Sequence, residues 1–135
     1  MYKLFLFSLL FLGGCKEEYP TYSSFENQEK TTFDCLHYTV LDKQDKQKLE
    51  KAFSLQDSNA CQYRVELTKY YVENCNNPVV KSVGGDFNGY IRIEIKKGFK
   101  CYYKVQSDFK DDAVAAFDRV IKRVKIDLNQ ENNSN

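Results

Sequence analysis

The segment Tyr90-Ile91-Arg92-Ile93-Glu94-Ile95-Lys96-Lys97-Gly98-Phe99-Lys100-Cys101-Tyr102-Tyr103-Lys104 decides the fold of this chain. Isoleucine alternates with Arg92 and Glu94, the period-2 pattern of a strand with one buried and one wet face. Alternation resumes after Gly98, so residues 90–106 read as a β-hairpin. Directly opposed residues must share a face, which sets the register. A two-residue loop would set Ile95 against Lys100 and Ile93 against Tyr102, mixing the faces. A three-residue loop, Lys96-Lys97-Gly98 with Gly98 left-handed, sets Ile95 against Phe99, Ile93 against Cys101 and Ile91 against Tyr103. It also opposes Glu94 to Lys100, Arg92 to Tyr102 and Tyr90 to Lys104, as charge or cation-π pairs. The three-residue loop is therefore the expected one.

Working outward, Ala113, Ala116, Phe117, Val120, Ile121, Val124 and Leu128 recur at spacings of three and four and predict a helix that packs on the sheet. Asp111 and Asp112 fall in its first turn and Arg119, Lys122, Arg123 and Lys125 toward its end, as the helix dipole favours. Upstream, Cys61, Tyr63, Val65 and Leu67 alternate with Gln62, Arg64, Glu66 and Thr68, a strand over residues 61–72. Residues 43–55 predict a helix behind the N-cap Asp42, with a narrow apolar stripe at Leu49, Ala52, Phe53 and Leu55. Phe33 to Leu41 is the expected first strand; Val79 to Val83 suggests a short strand, and Gly84 to Gly89 a glycine-rich loop. The order predicts an α+β domain: an antiparallel sheet of about four strands, two helices on one face, the other face wet.

The termini carry no such pattern. Lys3 precedes Leu4 to Leu12, nine residues of which only Ser8 is polar. That run is too short to span a membrane, which takes about 20 apolar residues, and it has the form of an export signal. Leu12-Gly13-Gly14-Cys15 resembles the lipobox of bacterial lipoproteins, with Gly13 a mild departure from the usual Ala, Ser or Thr. The resemblance implies cleavage after residue 14 and diacylation of Cys15. The expected organisation is a signal peptide over 1–14, a lipidated N-terminus and flexible tether over 15–32, one domain over 33–128 and a disordered polar tail over 129–135. Lys16, where some bacteria use Asp for inner-membrane retention, favours the outer membrane, with the domain facing the periplasm.

Cleavage leaves 121 of the 135 residues, enough for one core. The 20 basic and 19 acidic side chains become 19 of each once Lys3 is lost, which argues against nucleic acid as a partner. Cys35, Cys61, Cys75 and Cys101 are an even number in an exported chain and predict two disulfides, each contributing about 2–4 kcal/mol. Their gaps of 26, 14 and 26 residues lack the close pairs of a zinc site. Cys61 opens a long strand and Cys75 follows its end, about 40 Å away in an extended chain and far beyond bridging distance. The expected pairing is thus Cys61 with Cys101 and Cys35 with Cys75, on condition that the strands of Cys61 and Cys101 are neighbours or the sheet curls.

Catalytic chemistry is hard to assemble from these residues. His37 is the single histidine and lies in the expected first strand, without a second to support it. Gly84-Gly85-Asp86 lacks the continuation of a nucleotide-cyclase signature and reads as a loop, and Asp111-Asp112 already has a structural reason at a helix start. No enzyme class, cofactor or metal is expected. The ten tyrosines, Tyr70-Tyr71 and Tyr102-Tyr103 among them, suit either strand formation or a protein- or glycan-binding surface.

The run Gly89-Tyr90-Ile91-Arg92-Ile93-Glu94-Ile95-Lys96-Lys97-Gly98-Phe99, continuing through Ser107 to the helix from Ala113 to Val124, resembles the C-terminal domain of TonB and TolA proteins over about 36 residues. It departs from TolA in having a whole strand between the first helix and the hairpin. The full element order is similar to that of LptE-type lipoproteins, whose lipid-anchored N-terminus leads to two helices on a four-stranded sheet. Either resemblance implies an envelope adaptor. The expected function is an accessory or adaptor lipoprotein of an envelope assembly with a protein partner. The alternative is an inhibitor or immunity lipoprotein that captures a periplasmic enzyme or toxin through a loop such as Gly84 to Gly89.

Overall fold

The structure is a computed structural model that describes residues 19–72 and 87–128. Residues 1–18, 73–86 and 129–135 lie outside it, and with them the expected export signal, Cys15, Cys75, the expected strand Val79 to Val83, half of the Gly84 to Gly89 loop and the polar tail. The elements are β1 (Thr21–Phe25), a single 3-10 turn (Glu26–Gln28), β2 (His37–Tyr38), α1 (Lys43–Phe53), β3 (Arg64–Tyr71), β4 (Gly89–Lys97), β5 (Lys100–Phe109) and α2 (Ala113–Leu128). The five strands form one sheet in the order β1-β5-β4-β3-β2.

The fold is α+β as expected, but the sheet has five strands and is mixed. Strands β3, β4 and β5 form an antiparallel meander, and β1 adds to β5 antiparallel. The two-residue β2 instead runs parallel to β3, with His37 opposite Arg64 and Tyr38 opposite Val65. A short edge strand whose chain then crosses over through α1 has to enter in the same direction as β3.

The core lies between the sheet and the helices. Ile91, Ile93 and Ile95 of β4, Tyr103, Val105 and Phe109 of β5, and Val65 of β3 meet Leu49, Ala52 and Phe53 of α1 and Ala116, Phe117, Val120 and Val124 of α2. Asp42 caps α1 by accepting from the Asp45 N–H at 2.9 Å, and Asp112 does the same for the Ala115 N–H at 2.9 Å. α1 therefore starts where its sequence predicts, while Asp111 and Asp112, expected in the first turn of α2, precede it, with Asp112 as its cap.

The hairpin has a different register, and its faces are as expected only along β4 and from Tyr103 onward in β5: Phe99 and Cys101, expected on the buried face, are in the turn and opposite Lys96 of the open face. Its turn is the two-residue Gly98-Phe99, with Gly98 at φ 61° and Phe99 outside the positive-φ region, the pattern of a II′ turn. Ile95 faces Tyr103, Ile93 faces Val105 and Ile91 faces Ser107, instead of Phe99, Cys101 and Tyr103. A bulge makes this possible: Lys96 pairs with Cys101 and Ile95 with Tyr103, so Tyr102 is the extra residue. One inserted residue restores the parity that a two-residue loop alone would break. Phe99 is consequently fully exposed at the turn.

The expected tether is also shorter than residues 15–32, because Thr21–Phe25 is a paired strand. Its sequence, Tyr-Ser-Ser between Thr21 and Phe25, has little to bury, and α2 holds it by polar contacts. Arg123 Nε donates to Ser23 Oγ at 2.9 Å and the Phe25 ring lies 4.9 Å from that of Tyr103 on β5, while Arg119 Nε ties α2 to β5 itself, donating to the buried Ser107 Oγ at 2.9 Å. Two arginines expected to serve the helix dipole are in fact rivets between helix and sheet.

The disulfide pairing is corrected. Cys35 is bonded to Cys61, with Cα atoms 5.8 Å apart, and Cys101 is a free thiol. Parallel pairing explains it, since Cys35 and Cys61 stand just before β2 and β3 and enter neighbouring strands from the same end. Cys101 lies on β5, and β4 separates it from β3, leaving two strand spacings of about 10 Å in all. Neither Cys61–Cys101 nor Cys35–Cys75 forms, and one bridge stands among the described residues where two were expected.

Candidate functional site

Alternation along four strands turns a second set of side chains away from the helices. Tyr22 and Ser24 of β1, Lys104, Gln106 and Asp108 of β5, Tyr90, Arg92, Glu94 and Lys96 of β4, and Arg64, Glu66, Thr68 and Tyr70 of β3 share this open face by register. None of them is buried.

The upper half of the face is an aromatic and hydrogen-bonded ladder across three strands. The Tyr70 and Tyr90 rings stack at 5.1 Å, and the Arg92 guanidinium lies 4.7 Å over the Tyr90 ring. Arg92 Nε donates to Gln106 Oε1 at 2.8 Å, and Gln106 Nε2 donates to Asp108 Oδ1 at 3.0 Å. Each side chain fixes the next one's rotamer, so the ladder is ordered before anything binds.

The lower half is charged. Glu66 and Glu94 stand directly opposite each other, a repulsive pair that Lys96 bridges at 2.9 Å and 3.7 Å. The hydrogen bond to Glu66 holds the Lys96 ammonium above its ordinary pKa. Cys101 sits beside this cluster, its thiol raised first by burial and then by the Glu94 carboxylate. That is the reverse of the electropositive setting that activates a thiol.

No protein-family model, curated protein or solved structure matches this chain. Its chemistry therefore has to be read from the residues.

His37 lies half-exposed on β2 as expected, and the structure gives it a neighbour that sequence spacing did not reveal. Its Nδ1 is 2.9 Å from Asp57 Oδ1. Asp57 also accepts from the Tyr38 N–H at 3.0 Å and from Lys46 Nζ at 2.7 Å. Lys46 first, then the Tyr38 N–H and His37, hold the Asp57 carboxyl far below the usual carboxylate range. Tyr38 Oη donates to the Leu55 carbonyl at 2.7 Å, and burial raises that phenol well above its ordinary value. The cluster ties β2, α1 and the following loop together next to the Cys35–Cys61 bridge. Its bonds are spent on backbone and structural partners, which makes it a brace. No sequence motif marks Asp57; Leu36 and Asp57 meet through an isolated parallel bridge across the α1 crossover.

Asp112 serves as the helix cap already described. Among the described residues no group of three His, Cys, Asp or Glu is placed to hold a metal ion. The Tyr102 ring meets Tyr63 edge-on at 5.4 Å, and Tyr103 is buried with its hydroxyl donating to Asp127 at 2.7 Å. Of the two tyrosine pairs noted in the sequence, then, Tyr70-Tyr71 is half-exposed and Tyr102-Tyr103 is mostly structural.

Proposed function

We propose that this chain is a lipid-anchored, non-enzymatic adaptor of a bacterial envelope assembly, attached through Cys15, facing the periplasm and favouring the outer membrane. The observation that carries the reading is the open sheet face, where a preordered ladder of Tyr70, Tyr90, Arg92 and Gln106 crosses three strands. Tyrosine and arginine are enriched among the residues that dominate the binding energy of protein interfaces, tyrosine because it presents a large contact area at little entropic cost. The mixed charge of the face suits a protein partner better than a strongly charged polymer. The resemblances to the TonB and TolA C-terminal domain and to LptE-type lipoproteins point to the same class of partner.

A photo-crosslinking residue in place of Tyr70, with a second in place of Tyr22, tests the proposal in intact cells. The expected product is a subunit of a membrane-embedded assembly. A crosslink to a soluble hydrolase or toxin would instead establish the inhibitor or immunity reading. Recovery of the chain alone from both positions would remove the open face as the contact surface.

A further inference from the structure

An open β-sheet ends in two edge strands, each with a row of backbone N–H and C=O groups that no neighbouring strand pairs. Here the edges are β2 and β1. β2 is guarded by its length, since only His37 and Tyr38 belong to it. β1 has no such guard. All five of its residues, Thr21-Tyr22-Ser23-Ser24-Phe25, pair with β5 without a bulge, none carries a charge, and Pro20 stands before the strand rather than in it. Among the described residues, nothing bonds the outward N–H and C=O groups of these five.

We propose that β1 pairs antiparallel with β1 of a second copy, joining two five-stranded sheets edge to edge about a two-fold axis. Register singles out this occupant. Opposed residues of an antiparallel pair share a face, so a strand that meets its own copy must be centred on a residue and not between two. Centring on Ser23 is the one choice that pairs all five positions. Thr21 then faces the partner's Phe25, Tyr22 faces the partner's Ser24, and Ser23 meets its own copy on the axis, the self-complementary arrangement that a two-fold contact requires.

Side-chain size agrees with that register. Tyr22 is 61% exposed on the open face, and Ser24 on the same face lines two grooves, one of about 240 Å³ with Lys104 and Gln106 and one of about 230 Å³ with Glu94 and Tyr102. In the pair each Tyr22 ring comes to lie against the partner's Ser24, where these grooves leave room for it, so a large side chain meets a small one twice by symmetry. Charge agrees as well. On the helix side Arg123 donates to Ser23 Oγ at 2.9 Å and lies 3.1 Å from Asp127, so the guanidinium nearest the axis brings its own counter-charge. Tyr90 of β4 and Tyr70 of β3 are two and three strands from this edge and stay open to the adaptor's target. The self-pairing goes beyond the adaptor reading and depends neither on it nor on Cys15.

Sedimentation equilibrium of the purified full-length chain in density-matched detergent reads its mass, and a thermal melt reads the fold of each variant. The parent is expected to be a dimer. Tyr22→Lys with Ser24→Lys opposes lysine to lysine at both symmetric places and is expected to give a folded monomer over the same concentrations. Tyr22→Glu with Ser24→Lys opposes unlike charges instead and is expected to restore the dimer. Ser23→Cys sets two thiols on the axis with Cα atoms about 5 Å apart, so oxidation is expected to link position 23 to position 23 of the partner, read by peptide mapping. A monomeric parent would overturn the pairing and leave β1 to an extended segment of another protein. A dimer that survives the paired lysines, or that the unlike charges do not restore, would overturn the register and the edge contact. If the paired-lysine variant does not fold, the Ser23→Cys linkage decides alone, and its absence overturns the pairing.

Discussion

Replacing Cys35 and Cys61 together by alanine removes the crosslink between the entries to β2 and β3 and leaves Cys101 untouched. The closed loop has a sequence separation of 26. In the chain-entropy treatment that length corresponds to about 12 cal/mol/K of lost freedom in the unfolded chain, or about 3.5 kcal/mol at 25 °C. Such a loss is a large part of the 5–15 kcal/mol typical of a domain, so the variant should fold but be marginal. Urea denaturation, on a background carrying Cys15→Ser to remove any lipid, should show the midpoint falling by about 2 M if m is near 1.5 kcal/mol/M. Reduction of the parent should reproduce the shift. Peptide mapping of the unreduced protein should recover Cys35 joined to Cys61. Linkage of Cys61 to Cys101 would refute the parallel pairing of β2 with β3, and a loss under about 1 kcal/mol would refute the entropic argument.

Four further outcomes are expected. Asp57 has a depressed pKa, so its contribution is complete above the unfolded carboxyl value near 4 and is lost as pH falls toward its folded value; Asp57→Asn should cost about 1–2 kcal/mol at neutral pH and progressively less between pH 4 and pH 2, measured by denaturant titration at each pH. Gly89→Ala would drive a Cβ into the Tyr70 carbonyl and to within 2.6 Å of the Phe109 ring, so it should destabilise by about 3 kcal/mol, and a thermal melt unchanged from the parent would contradict the close approach of β3 and β4 there. Cys101 should alkylate more slowly than an ordinary thiol at pH 8, and Glu94→Gln should speed it, as peptide-resolved mass spectrometry of iodoacetamide labelling would show. Cys15→Ser should abolish fatty-acid labelling and move the chain out of the membrane fraction; no helix among the described residues is long and apolar enough to cross a membrane in its place.

Much of this fold was legible in local pattern. The period-2 runs at Tyr63 to Leu67 and Ile91 to Ile95, the 3.6-period run from Ala113 to Leu128 and the cap Asp42 each depend on residues near one another in sequence, and the structure places the elements there. The open face was equally implicit, since an alternating strand commits half of its side chains to the wet side. Reading that face as a ladder required knowing that Tyr70 meets Tyr90 and that Arg92 reaches Gln106, which is a matter of register between strands.

Sequence alone therefore determined the helices, the three long strands and which side of each is buried, because those properties follow from a periodicity that the chain carries within a dozen residues. Tertiary structure decided the rest. The hairpin register turned on one bulged residue, Tyr102, whose insertion changes no local pattern yet moves Ile95 from Phe99 to Tyr103. The disulfide turned on β2 entering parallel to β3, a choice made by the α1 crossover over 26 residues of chain. β1 became a strand because Arg123 and Tyr103, about 80 to 100 residues away, supply the hydrogen bond and the ring contact that its own Thr-Tyr-Ser-Ser-Phe sequence lacks the apolar surface to replace. Contacts between segments that distant carry no periodic signature, and they set the length of chain between Cys15 and the domain.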